Sequence, residues 1–159
     1  MAWQLETLDP VFVERARHKG IDALGQPVRR MTAAGGEPFR DALRRAICGE
    51  ELILASYSPF HQVGPYREYG PVFLAAESQP EPLPELSALL HRVGENAYLG
   101  DSVALRAYDK EQTMQEAALL PTHEVEATLT RWEARPEIAF AMLRFPAHGC
   151  YALRLNRSE

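Results

Sequence analysis

The hydrophobic positions change period several times along the chain, and each change marks an element. Val11, Phe12, Val13 and Ala16 lie between Asp9-Pro10 and Gly20. This predicts a helix from about Asp9 to Lys19, with Asp9 as cap, Pro10 at the first helical position and Gly20 as stop. A short strand is expected from Val28 to Thr32, ahead of the Gly35-Gly36 pair. After Pro38, the residues Phe39, Ala42, Leu43, Ala46 and Ile47 recur at helical spacing with Arg40, Asp41, Arg44 and Arg45 between them. That pattern predicts a second short helix ending at Gly49. Glu51 to Tyr57 carries the continuous run Leu52-Ile53-Leu54-Ala55, which reads as a buried strand.

Ser58 to Gly70 has no periodicity and holds aromatic residues, a histidine and an arginine, so it reads as a loop of functional length. A strand follows from about Val72 to Ala75, and the three prolines between Glu77 and Pro84 make a semi-rigid connector. A helix is expected from Glu85 to Val93 with Leu86, Leu89, Leu90 and Val93 inward. Ser102 to Asp109 alternates as a strand, with Val103, Leu105 and Ala107 on one face and Ala104, Arg106 and Tyr108 on the other. Met114 to Leu119 reads as another short strand. Thr122 caps a helix that carries Val125, Leu129 and Trp132 inward and ends at Pro136. Ile138 to Phe145 and Cys150 to Leu155 flank Pro146-Ala147-His148-Gly149 and predict a β-hairpin. The expected class is α+β, one domain. It has a mostly antiparallel or mixed sheet of five to seven strands, three to four helices and a C-terminal hairpin.

Composition narrows the function classes. Of 159 residues, 46% are hydrophobic and 25% charged, enough for a core without disulfides or a structural metal. A net charge of −5 argues against a nucleic-acid partner or an anionic membrane surface. No apolar run approaches a membrane span, the N-terminus lacks a signal pattern, and Cys48 and Cys150 form no framework. A cytoplasmic protein with reduced thiols is the expectation. The 15 arginines against two lysines fit a GC-rich coding bias, given 22 alanines, 12 prolines and 10 glycines. Arginine is nevertheless the side chain suited to forked recognition of carboxylates and phosphates.

Nucleotide-binding, zincin and serine-hydrolase motifs are absent. The five histidines show no pair at ligand spacing, so no metal and no cofactor is expected. Pairing the final hairpin from Phe145 opposite Cys150 sets Ala141 opposite Arg154, beside the small residues Ala139, Cys150 and Ala152. Arg106 and Tyr108 follow Ala104 on a neighbouring strand. Two readings stand: the two arginines and Tyr108 bind a carboxylate or phosphate, or the alanines admit a covering helix and the arginines reach past it to solvent. Cys150 near His148 reads either as a small buried hydrophobe or as an activated thiol. Pro65 to Pro71 reads either as a recognition loop or as a plug over the core.

Several blocks of the chain resemble the DUF1203 family, bacterial proteins of unknown function. They are Pro38-Phe39-Arg40, Glu51 to Tyr57 with Pro59-Phe60, Pro65-Tyr66-Arg67-Glu68 leading into Gly70-Pro71-Val72-Phe73, Leu105-Arg106-Ala107-Tyr108, and Gly149-Cys150-Tyr151 with Arg154. The resemblance implies a single small domain and no established activity, cofactor or catalytic residue. Arg40, Arg67, Arg106 and Arg154 fall inside these blocks. The expected function is therefore binding of a small anionic ligand through Arg40, Tyr66, Arg67, Arg106, Tyr108, His148 and Arg154. Two alternatives stand beside it: a homodimeric or protein-interaction module built on the Ser58 to Gly70 loop, and an enzyme using Glu68, His148 and Cys150.

Overall fold

A computed structural model describes residues 2–158. The described residues form ten strands: β1 Trp3–Glu6, β2 Arg29–Thr32, β3 Pro38–Phe39, β4 Arg44–Arg45, β5 Glu51–Tyr57, β6 Gly70–Ala75, β7 Ser102–Tyr108, β8 Met114–Pro121, β9 Phe140–Arg144 and β10 Tyr151–Arg157. The helices are α1 Pro10–Glu14, α2 Leu86–His91 and α3 Val125–Trp132. α1 continues as one wide turn over Arg15–Lys19, and a 3₁₀ turn over Thr122–Glu124 leads into α3. The class is α+β with a C-terminal strand pair, as the sequence predicts.

The strands divide between two sheets. The larger has the order β1-β10-β9-β7-β8 and is antiparallel throughout. The smaller has the order β2-β5-β6-β3-β4, with β3 beside β6 as its one parallel pair. One face of the larger sheet, built by Val103, Leu105, Ala107, Ala141, Leu143, Leu153 and Leu155, packs on Leu86, Leu89 and Leu90 of α2 and Val125, Leu129 and Trp132 of α3. Each large aliphatic side chain buried this completely contributes about 1.5–3 kcal/mol. The opposite face presents Tyr108, Phe140, Met142 and Tyr151 to Ile53, Ala55, Tyr57, Val72 and Leu74 of the smaller sheet and to Phe12 and Ala16. The layers thus run helices, larger sheet, smaller sheet.

Four local expectations are corrected. The segment from Pro38 to Ile47 is a β-hairpin and not a helix: Pro38 pairs with Arg45, Phe39 with Arg44, and Leu43 takes a left-handed turn at φ 53°. Its apolar residues serve two cores, since Leu43 joins the helix-side core while Phe39 and Ala46 pack on the outer face of the smaller sheet. One helix face cannot divide in that way. Val93 is 86% exposed, because α2 ends at His91 and Arg92 is already extended. Thr122 does not cap α3; its hydroxyl donates to the Gly100 carbonyl. β1, absent from the sequence reading, pairs with β10 and is anchored by the Trp3 indole, whose Nε1 donates to the Leu129 carbonyl at 3.2 Å.

The fourth correction concerns the final hairpin and decides the site. Phe145 N donates to the Cys150 carbonyl at 3.0 Å and Tyr151 pairs with Arg144, in the expected register. A bulge at Ala152 then shifts the pairing by one, so that Leu153 faces Leu143, Arg154 faces Met142 and Leu155 faces Ala141. An extra residue in one strand sends every later side chain to the opposite face. Arg154 therefore leaves the alanine-lined side, and the small-residue pocket expected from Ala139, Ala141, Cys150 and Ala152 does not form.

Candidate functional site

The shifted register places arginines on the face of the larger sheet that looks toward the smaller one. Arg106, Met142, Arg154 and Glu6 share one row across β7, β9, β10 and β1. Ala104, Arg144 and Tyr151 share a row one pleat nearer the β9–β10 turn. Arg106 and Arg154 thus lie on the same side of the sheet, and Arg144 stands on the strand between them. Diagonal neighbours in such a lattice are about 7–8 Å apart, within reach of arginine side chains.

The arginines are held differently. Arg154 is buried and satisfied: Nε donates to Asn156 Oδ1 at 2.8 Å, Nη1 donates to the Pro59 carbonyl at 3.0 Å, and the guanidinium lies 3.7 Å from the Phe140 ring centroid. Burial lowers its pKa, an effect the Glu6 carboxylate, 3.4 Å from Nε, opposes. Arg40 is 2% exposed and joins the two sheets. Its Nε donates to the Tyr151 carbonyl at 2.9 Å, Nη1 to the Pro38 carbonyl at 2.9 Å, and Nη2 to Cys150 Sγ at 3.1 Å. Among the described residues it meets no carboxylate. Arg106 is half-buried, and no hydrogen bond or ion pair of its side chain is formed among the described residues.

Arg144 is the group that sequence reasoning missed. Its side chain is 5% exposed, with Nη1 donating to the Gly149 carbonyl at 3.1 Å. Nη2 meets Glu68 Oε1 in an ion pair, and among the described residues Nε has no hydrogen-bond partner. Glu68 comes from the 58–70 loop and is 48% exposed. One signal pointed to Arg144: it is the single charged residue between Ile138 and Phe145, an otherwise apolar strand whose residues have no other route to water.

A cleft of about 210 Å³ opens beside this group, lined by Glu68, Tyr69, Arg144, His148, Cys150 and Tyr151 with Tyr57 and Pro59 behind. Three of the blocks with family resemblance meet there: the Pro65 to Pro71 loop, the Gly149-Cys150-Tyr151 turn and, behind Cys150, Arg40. Glu68, His148 and Cys150 are brought to one cleft; Arg106, Arg154 and Tyr108 are not among its lining residues. Gly149 holds the turn at φ 72°, a conformation that favours glycine and lets its N–H reach the Phe145 carbonyl at 2.7 Å. Burial pushes the Tyr57 hydroxyl up to about 12 and that of Tyr151 well above its ordinary value, so both phenols stay neutral hydrogen-bonding groups.

The remaining predicted residues, Tyr66, Arg67 and Tyr108, are not among those that line the cleft. Tyr108 is 1% exposed, stacked on Phe140 with centroids 5.0 Å apart and met edge-on by Phe60. Tyr66 is 40% exposed and packs edge-on to Tyr108 at 6.3 Å. The Arg67 guanidinium lies 5.3 Å from the Tyr69 centroid, and its buried Nε has no partner. The 58–70 loop is therefore a plug at its start, through Phe60 and Pro59, while its middle stays in solvent, with Val63 87% exposed. Gln112 pins it from the β7–β8 turn, its Oε1 accepting from His61 N at 2.8 Å and Gln62 N at 3.1 Å.

A two-sheet α+β domain with a small cleft at Arg144 is the class these observations define. The family model described as "Protein of unknown function (DUF1203)" matches residues 36–157, and the chain belongs to that family. No curated protein and no solved structure matches the chain. The matched span contains Arg40, Glu68, Arg144, His148 and Cys150. Among the described residues no helix is long and apolar enough to cross a membrane, and no group of three or more His, Cys, Asp or Glu side chains is placed to hold a metal ion.

Proposed function

We propose that the domain binds a small carboxylate or phosphate in the cleft at Arg144. The observation that carries this reading is the asymmetry of the Arg144–Glu68 pair. The cation is 5% exposed with an unpartnered Nε, while its carboxylate is 48% exposed and comes from a loop. A buried guanidinium with an unpartnered Nε costs several kcal/mol of desolvation that a half-exposed loop carboxylate offsets incompletely. An incoming anion that takes Glu68's place can form the forked hydrogen bonds that Glu68 does not. Arg106 lies outside the lining but diagonal to Arg144, and without a side-chain partner among the described residues it adds positive potential from the neighbouring strand. Tyr57 and Tyr151, neutral and adjacent, supply polar walls.

Calorimetric titration with inorganic phosphate and with acetate tests this. Arg144→Gln is expected to weaken binding by about tenfold or more, and Arg106→Ala by about twofold to fivefold. Glu68→Gln, which frees Arg144, is expected to tighten it. Glu68→Gln without effect, together with full binding by Arg144→Gln, would overturn the reading.

Self-association is a second reading, favoured by one feature. β8 is a free edge of the larger sheet and carries Leu119, 70% exposed. Light scattering is expected to show a dimer that Leu119→Lys dissociates; a monomer at every concentration ends this reading.

A further inference from the structure

We propose that Cys150 is a nucleophilic thiol that attacks a small electrophile bearing a carboxylate, with Arg40 holding the sulfur and Arg144 the carboxylate. The carboxylate half rests on the anion reading given above; the thiol half stands on separate geometry.

Two independent observations converge on the same cleft. The first is Arg40. A guanidinium that is 2% exposed and meets no carboxylate among the described residues has directed two of its three nitrogens at neutral carbonyls and the third at Cys150 Sγ at 3.1 Å. Sulfur is the one nucleophilic atom among its partners, and the Arg40 donor fixes that sulfur at the edge of the cleft. The second is Arg144, nine-tenths buried, lining the cleft on which Cys150 opens and carrying an unpartnered Nε. A bound carboxylate on Arg144 would lie within the same 210 Å³ space as the sulfur. Holding electrophile and nucleophile side by side in this way converts a bimolecular encounter into a local one.

The step balances without an oxidant. The Cys150 sulfur attacks the electrophilic carbon, a C–S bond forms, and the bond to the leaving group breaks with its electron pair. The thiol proton passes to water at the mouth, where His148 stands in the turn.

Iodoacetate and iodoacetamide separate the two halves, since they deliver the same alkyl electrophile with and without a carboxylate. Cys48, exposed and the one other cysteine, is the internal reference, and modification of each thiol is followed by peptide mass spectrometry. Cys150 is expected to outpace Cys48 by about tenfold or more with iodoacetate. Its preference for iodoacetate over iodoacetamide should be reversed relative to Cys48. Arg144→Gln should abolish the preference and leave the iodoacetamide rate within about twofold, while Arg40→Lys or Arg40→Met slows both reagents by about tenfold. If Cys150 outpaces Cys48 with both reagents but shows no preference for iodoacetate, the carboxylate requirement and the anion reading are overturned together. If unmodified protein reacts more slowly at Cys150 than at Cys48 with both, the thiol assignment is overturned, whatever the Arg40 variants do and whether or not phosphate binds.

Discussion

The two faces of the larger sheet answer to different physics. On the helix side the fully buried residues of β7, β9 and β10 are aliphatic, from Val103 and Leu105 to Leu143 and Leu155, and Arg157 stands at the margin, donating to the Trp132, Arg135 and Ile138 carbonyls. On the other side the same three strands carry Arg106, Arg144 and Arg154 among Tyr108, Phe140, Met142 and Tyr151. The first face gains stability from area removed from water. The second surrenders part of that gain by burying guanidinium groups: Arg154 is satisfied by the Pro59 carbonyl, Asn156 and the Phe140 ring, whereas among the described residues Arg144 Nε has no partner and half-buried Arg106 forms no side-chain hydrogen bond. This asymmetry between the faces is the feature on which the proposed anion binding rests.

That contrast can be broken by substitution. Leu143→Ala, on the helix-side face and fully buried, is expected to cost about 2–5 kcal/mol in urea denaturation. Arg40→Met strips the donors from the Tyr151 and Pro38 carbonyls and is expected to cost about 1–3 kcal/mol. Arg144→Met has the opposite sign. It replaces a buried cation bearing an unpartnered Nε with a similar apolar volume, and stability should hold or rise by about 1 kcal/mol while phosphate binding is lost. A loss as large as that of Leu143→Ala would mean that Arg144 is a structural group and would erase the contrast.

The smallest effect lies outside both faces. The Arg44 side chain, hydrogen-bonded to Glu50 at 2.8 and 2.7 Å, holds that carboxyl at about 2 against an ordinary 4.5. Its folded value is below its unfolded one, so the stabilisation is complete above about pH 4.5 and lost as pH falls toward 2. Burial raises Asp41, which contributes in the reverse direction, gaining stability as pH falls. Glu50→Gln should flatten the acid side of a melting-temperature profile between pH 6 and 3. An unchanged profile would place the acid sensitivity elsewhere.

Much of the scaffold was legible because its signals are local. β5 is a continuous apolar run between turn residues, and the observed strand has the bounds the run predicts. The α3 stripe of Val125, Leu129 and Trp132 is buried as its spacing requires. The Pro38 to Ile47 segment misled because its spacing satisfies a helix, yet the strand pair with β6 and the division of Phe39 and Leu43 between two cores prevail over local preference. In the site, Glu68, His148 and Cys150 were legible by residue type, and their meeting in one cleft could not be read from spacing. Arg106 and Arg154 share a face only because of the bulge at Ala152, and nothing in the hairpin's sequence announces an extra residue there.

The pairing of β1 with β10 joins Trp3 to Arg157, and Arg40 reaches Tyr151 across most of the remaining chain. Contacts of such sequence separation require a long loop to close before they return any energy. The turn carrying Cys150 is therefore docked against Arg40 only once the chain between them has closed. Until then its sulfur is an ordinary solvated thiol, so whatever reactivity the cleft confers belongs to the finished protein and reports on its completion.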